Sequence, residues 1–287
     1  MKKQHKLFTV LAFILLYAPL VIMVIFSFNS SESTGVFTGF STEWYEILFA
    51  DEDGSVRSAL FYSISLAVMS SLIATVIGTV AALGLVKFRR RSIRSTVITV
   101  TNIPMVNPDI VTAVSLVLLF SAILTIFKLE ISDFISLLIA HITFNLPYVI
   151  LSVMPKIKQM DPSLTEAAMD LGCTPAKAFF KVELPQIMPG IFSGLIMAFT
   201  MSFDDFVISH FTAGTIETLP LKIYSMTGKG SVTPDMYALS TFMMIAILFM
   251  LILSNLVQSR DEISKHIQLR KIKKAKKRLA ESNTTNS

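Results

Sequence analysis

Long apolar stretches nearly free of charge alternate along this chain with short polar segments rich in Lys and Arg. Six of the apolar stretches span roughly 7–28, 59–86, 98–127, 134–154, 187–209 and 236–257. A hydrocarbon core about 30 Å thick is crossed by about 20 helical residues, so each stretch predicts one membrane-spanning helix. The first follows Lys2, Lys3 and Lys6, as a secretory signal would. Its apolar run, Leu7 to Phe28, exceeds the roughly 7–15 residues of a signal core, and no A-x-A-like site follows, so it reads as a retained span. The predicted fold is an all-α integral membrane protein with a six-span domain over 1–257 and a tail over 258–287.

Composition agrees with that pattern. Of 287 residues 53% are hydrophobic and 16% charged, and mean hydropathy is +0.65. Soluble domains average roughly 25% charged residues, which excludes a water-facing particle. The distribution of Lys and Arg sets the orientation. The N-terminus, the 87–97 loop, the 155–186 loop and the tail hold 21 of the 25 basic residues, against Arg57, Lys128, Lys222 and Lys229 on the opposite side. Both termini and the 155–186 loop are therefore expected in the cytoplasm. The first outer loop carries Glu32, Glu43, Glu46, Asp51, Glu52 and Asp53, a favourable landing surface for a cationic solute or a basic partner. Cys173 is the sole cysteine, so no internal disulfide exists. The Asn283-Thr284-Thr285 sequon carries no meaning on a cytoplasmic tail, and the Lys/Arg run 273–278 suits anionic lipid.

Prolines punctuate the spans. Pro104 and Pro108 in the third, Pro147 in the fourth and Pro189-Gly190 in the fifth are each expected to interrupt the helical hydrogen-bond ladder. Such breaks tend to line buried or water-filled regions. In the second span, Ser70, Ala74, Gly78 and Ala82 form a stripe of small residues that admits a close helix neighbour, either within this chain or on a partner.

The cytoplasmic segment between spans four and five, about 155–186, has its own pattern. Asp161 or Ser163 can cap a helix containing Glu166, Ala167 and Ala168, and Gly172 can end it in the left-handed conformation. Thr174-Pro175 opens a second short helix, and Leu184-Pro185 closes the unit. Glu166-Ala167-Ala168, Gly172 and Leu184-Pro185 stand at the spacing of the EAA loop, and the segment resembles that of bacterial ABC-importer permeases. The resemblance implies a type I importer permease fold in which this loop docks on a separate ATPase. No G-x-x-x-x-G-K-[ST] phosphate loop exists; Gly228-Lys229-Gly230 lacks both the upstream Gly and the Ser/Thr. The chain is thus expected to be no enzyme and to bind no cofactor, with ATP and Mg on partner subunits.

Ionisable residues within spans are expensive and read as functional by default. Asp109 in span three, and Asp204 and Asp205 toward the outer end of span five, have no Lys or Arg within the spans to neutralise them. Facing one path they suit a cationic solute, and Phe203, Phe206 and Tyr224 add cation–π contacts of roughly 0.5–2 kcal/mol each. Structural alternatives are a helix-restart role for Asp109 and an interfacial position for the pair. His141 and Asn145, four residues apart in span four, read as a helix-packing pair rather than a proton relay. No His, Cys or carboxylate cluster has metal-ligand spacing.

Asn107-Pro108-Asp109-Ile110-Val111, Ser202-Phe203-Asp204-Asp205-Phe206 and Leu219-Pro220-Leu221-Lys222-Ile223-Tyr224 look like the corresponding segments of PotC-type permease subunits of spermidine/putrescine importers. Similar too are Tyr17-Ala18-Pro19 and Ala140-His141-Ile142-Thr143-Phe144. The resemblance implies polyamine uptake across a bacterial cytoplasmic membrane. It further implies a second permease subunit, two ATPase subunits and an extracytoplasmic polyamine-binding protein as partners, and no nucleic acid. The alternatives are the same machine with another cargo (another amine, a thiamine-like cation or an organophosphonate) or, from a different class, a secondary transporter or channel.

Overall fold

The computed structural model describes residues 2–31, 36–50, 54–88, 90–128, 130–227, 233–253 and 255–256. Glu32, Asp51, Glu52 and Asp53 of the acidic loop, the Gly228-Lys229-Gly230 segment and the basic tail lie outside the described residues. The described chain is helical apart from loops and one isolated antiparallel bridge, Asn29 with Phe40. Its helices are α1 (Lys2–Phe26), α2 (Glu43–Ala50), α3 (Ser55–Lys87), α4 (Arg91–Val106), α5 (Asp109–Phe127) and α6 (Asp133–Gln159). Next come α7 (Pro162–Asp170), α8 (Pro175–Ala178), a π turn (Phe179–Glu183), α9 (Leu184–Phe203), α10 (Val207–Thr212), α11 (Leu219–Thr227) and α12 (Pro234–Leu253).

Among the described residues, six helical stretches are long and apolar enough to cross a membrane: His5–Phe26, Ser55–Lys87, Asp109–Phe127, Asp133–Gln159, Pro175–Phe203 and Pro234–Leu253. Two expected boundaries change. The third apolar run, 98–127, is two helices, because Asn107 and Pro108 are extended (ψ 147° and 135°) and only α5 is a full span. A proline pushes its predecessor out of the helical region, and here it does so at Asn107. The fifth run, 187–209, stops at Phe203, and residues 204–206 separate it from α10. Pro104, Pro147 and Pro189, by contrast, sit inside α4, α6 and α9 without ending them. Buried or lipid-facing helices re-satisfy the freed carbonyls locally, so proline marks a break only where the chain also turns.

The chain divides into two compact units. The first comprises Met1–Val68, Pro108–His141 and Ser202–Leu248. In it Leu66, Leu137 and Ala213 form a buried cluster, and the Leu219 N–H donates to Ser63 Oγ at 2.7 Å, fixing the start of α11 to α3. After α1, Asn29 organises the loop that follows. Its Nδ2 donates to Val36 O at 2.8 Å, its Oδ1 accepts from Thr38 N at 2.9 Å, and its carbonyl accepts from Trp44 Nε1 at 2.6 Å.

The second unit comprises the described residues of Met69–Asn107, Ile142–Met201 and Phe249–Ser287. Its core joins Ala74, Ala82 and Leu85 to Val149, Val153, Ile157, Ile187 and Ala198. The small-residue stripe is therefore used within the chain: a Cβ on Gly78 would stand 2.7 Å from Val149 Cγ1. Gly190 is tighter still. A Cβ there would meet Lys156 Cγ at 2.7 Å and the Ser152 carbonyl oxygen at 3.0 Å. Because one neighbour is backbone, Gly190→Val forces α9 away from α6, an overpacking that costs about 1–3 kcal/mol. We expect a thermal midpoint lowered by several degrees in detergent, with Gly84→Val, whose added Cβ would meet nothing within 4 Å, as the control.

Candidate functional site

Two regions answer the expectations from sequence. The first is the 155–186 loop. Asp161 caps α7, its Oδ1 accepting from Ser163 N at 3.0 Å and Ser163 Oγ at 2.8 Å. These bonds favour the charged form and hold the Asp161 carboxyl below its ordinary value. The cap's contribution is in place above that range and fades only as pH falls through it. At the other end, Gly172 has φ +90°. Its N–H bonds Met169 O at 2.9 Å, and the Cys173 N–H bonds Ala168 O at 3.1 Å, the paired closure of a Schellman motif. Thr174 caps α8 by accepting from Lys177 N at 3.4 Å, with Pro175 as its first residue.

Glu166, Ala167, Gly172 and Pro185 are exposed, while Ala168 and Leu184 are half-buried. No residue of α7 is buried. The loop also exposes apolar side chains that the motif does not mention, Leu171 at 87% and Phe180 at 64%. The π turn joins this unit to α9, and its Glu183 is buried.

The second region is the break after α9. Asp205 lies half-buried one residue before the α10 N-cap and spends both oxygens on the helix: Oδ1 accepts from Ile208 N at 3.2 Å, Oδ2 from Ser209 N at 2.7 Å. Asp204 is exposed. Two residues on, Phe206 packs with Tyr224 of α11 (centroids 4.7 Å apart) and with His210 (5.4 Å), and His210 with Tyr224 (5.8 Å). Phe203 is buried at 5%. Asp109 is the first residue of α5, exposed and without a side-chain cap bond. These contacts join Phe206 to His210 and Tyr224, and Asp205 to His141 and the start of α10, with Asp204 adjoining them in sequence; Asp109 begins α5.

His141 does not pair with Asn145. Fully buried, it reaches Ser202 Oγ through Nδ1 at 2.8 Å and Ser209 Oγ through Nε2 at 3.1 Å, with Asp205 Oδ2 3.6 Å from Nε2. Among the described residues the Asn145 side-chain amide has no hydrogen-bond partner. Helical spacing puts residues four apart on one face, but α6 presents that face to other helices, and His141 finds its partners 61 and 68 residues away. His210 was also missed. Its signal was its place four residues after Phe206, which becomes legible only once α10 is seen to start at Val207.

Residues 74–260 match the family described as binding-protein-dependent transport system inner membrane component. The putrescine transport system permease protein PotI of Escherichia coli (strain K12) is 39% identical over 239 residues, 83% of this chain and 84% of that protein. The spermidine/putrescine transport system permease protein PotC of the same strain is 39% identical over 248 residues, 86% and 90% of the two chains. PotC of Haemophilus influenzae is 38% identical, covering 86% and 93%. Among solved structures, a bacterial ABC transporter involved in the import of the acidic polysaccharide alginate superposes with a TM-score of 0.69 at 17% identity, over 90% of this chain and 94% of that one. An amino acid ABC transporter gives 0.53 at 21%, over 75% and 95%. The structural likeness establishes the fold, and with the sequence matches it means that this chain belongs to the family of inner membrane components of binding-protein-dependent transport systems.

Proposed function

We propose that this chain is a permease subunit of an ATP-driven importer of polyamines such as putrescine and spermidine. The observation that carries the cargo is the 38–39% identity to putrescine and spermidine/putrescine permeases over most of both chains. The geometry of the α9–α10 break supports it. Asp204 is exposed two residues before Phe206, whose ring packs with His210 and Tyr224, and a carboxylate with aromatic rings is the combination that receives an organic ammonium group by charge and by cation–π attraction. Asp205 is the structural member of the pair, and Asp109 is a second anionic position on α5.

The 155–186 loop is the docking knob for a separate ATPase, in the cytoplasm with both termini. Its exposed Leu171 and Phe180 on an otherwise polar loop support a protein partner, since exposed apolar surface beyond the lipid marks an interaction site. ATP and Mg belong to those partner subunits. A second, different permease subunit and an extracytoplasmic binding protein complete the assembly in the bacterial cytoplasmic membrane.

The test is uptake of radiolabelled putrescine and spermidine into proteoliposomes holding the whole complex, with ATP supplied to the ATPase side and the loaded binding protein opposite. Uptake of either amine that requires ATP is the expected result. Active ATP hydrolysis with neither amine transported would overturn the cargo.

A further inference from the structure

We infer that His141 is a positioning residue for transport: it clamps the two sides of the break at 204–206 and so fixes the angle at which Asp204 and Phe206 meet the solute. The inference rests on Asp204 being the solute-facing carboxylate. Ser202 belongs to the last turn of α9 and Ser209 to α10, so the two hydroxyls that His141 bonds lie on opposite sides of the interruption. One imidazole on α6 therefore spans a stretch in which the helical ladder is absent.

The ring's two nitrogens have different partners, Ser202 Oγ on Nδ1 and Ser209 Oγ on Nε2. Asp205 Oδ2 stands on the Nε2 side at 3.6 Å. With the hydrogen on Nε2, that nitrogen donates to the Ser209 hydroxyl and Nδ1 accepts from the Ser202 hydroxyl. The same Oδ2 accepts the Ser209 N–H, so the imidazole, the carboxylate and the start of α10 form one connected network. Such a network is worth more than its separate bonds. Leucine in place of His141 would fill similar space and join nothing. Glutamine keeps a donor and an acceptor on one amide and can hold part of the network.

The test uses the complete complex, with Val207→Cys in a Cys173→Ser background, so that a charged methanethiosulfonate reports how firmly the start of α10 is held. Uptake of putrescine and of spermidine is measured in parallel for each variant. His141→Leu is expected to speed labelling several-fold, lower uptake about tenfold and change the ratio of the two amines. His141→Gln should recover most of all three.

Unchanged labelling in His141→Leu would overturn the clamp. Faster labelling with an unchanged uptake and amine ratio would reduce His141 to a packing residue and overturn the positioning role. If His141→Leu cannot be purified, Ser209→Ala decides: the same direction at smaller size supports the clamp, and no change in labelling overturns it. Asp204→Asn is run alongside. Full uptake by that variant would overturn the reading of Asp204, and the positioning role with it, even where the labelling shows α10 released.

Discussion

Gly172→Val is expected to reach the membrane, join its complex and leave ATP hydrolysis on the partner subunits running while uptake falls by more than about tenfold. Gly172 holds φ +90° and closes α7 with two backbone bonds, from its own N–H and from that of Cys173. A β-branched residue is a genuine outlier at positive φ, so valine must either strain the turn or open it. Crowding plays no part, because a Cβ at this position would meet nothing within 4 Å. That separates two explanations. If only backbone conformation matters, Gly172→Asn should keep most of the uptake, since asparagine tolerates the left-handed region. ATP hydrolysed per amine imported, measured for all three proteins, is the deciding quantity. Normal coupled uptake by the valine variant would remove the loop from its proposed role as a knob.

The two neighbouring aspartates should part company when each is changed to asparagine. Asp204→Asn is expected to lower polyamine uptake about tenfold with an unchanged thermal midpoint, because the carboxylate accepts only from its own backbone N–H, a bond the asparagine amide oxygen can keep. Asp205→Asn keeps one acceptor oxygen and loses the other, which weakens the anchoring of α10. Caps of this kind contribute about 0.5–2 kcal/mol, so the expected result is a lowered midpoint and less assembled complex, with uptake falling in proportion to the protein present. Midpoint and uptake per assembled complex are measured on both. Equal behaviour of the pair would contradict the division of labour between them.

The spans were legible because lipid imposes a length and a charge rule that local sequence alone can satisfy. The 155–186 loop was legible for a related reason. Asp161, Gly172, Thr174 and Pro175 act through caps and φ angles that involve only their near neighbours, and each does in the structure what its residue type favours. The break after Phe203 lay inside what looked like one apolar run, since Val207, Ile208 and Phe211 continue the hydrophobic character of α9 across it. Contacts between distant segments were the least visible. Nothing in span four announces that the helix-packing bonds of His141 will go to Ser202 and Ser209, while Asn145, four residues on, takes no part in them. Phe203 and Phe206 look alike in sequence, three residues apart, and only packing separates the buried ring from the one beside Tyr224.

Between α8 and α9, the Leu184 N–H reaches back to the carbonyl of Phe179, five residues earlier rather than four. A turn of that kind holds one residue more than an α-helix requires. The chain can therefore lose a residue within 179–183 and close up as ordinary helix, with the segments on either side keeping their facings. The same loss inside α9 would rotate everything beyond it by about 100° and scatter the lining of the fifth span. The protein thus has slack in its length at the joint between the 155–186 loop and the helix that meets the membrane, where the two can drift in sequence without losing their mutual phase.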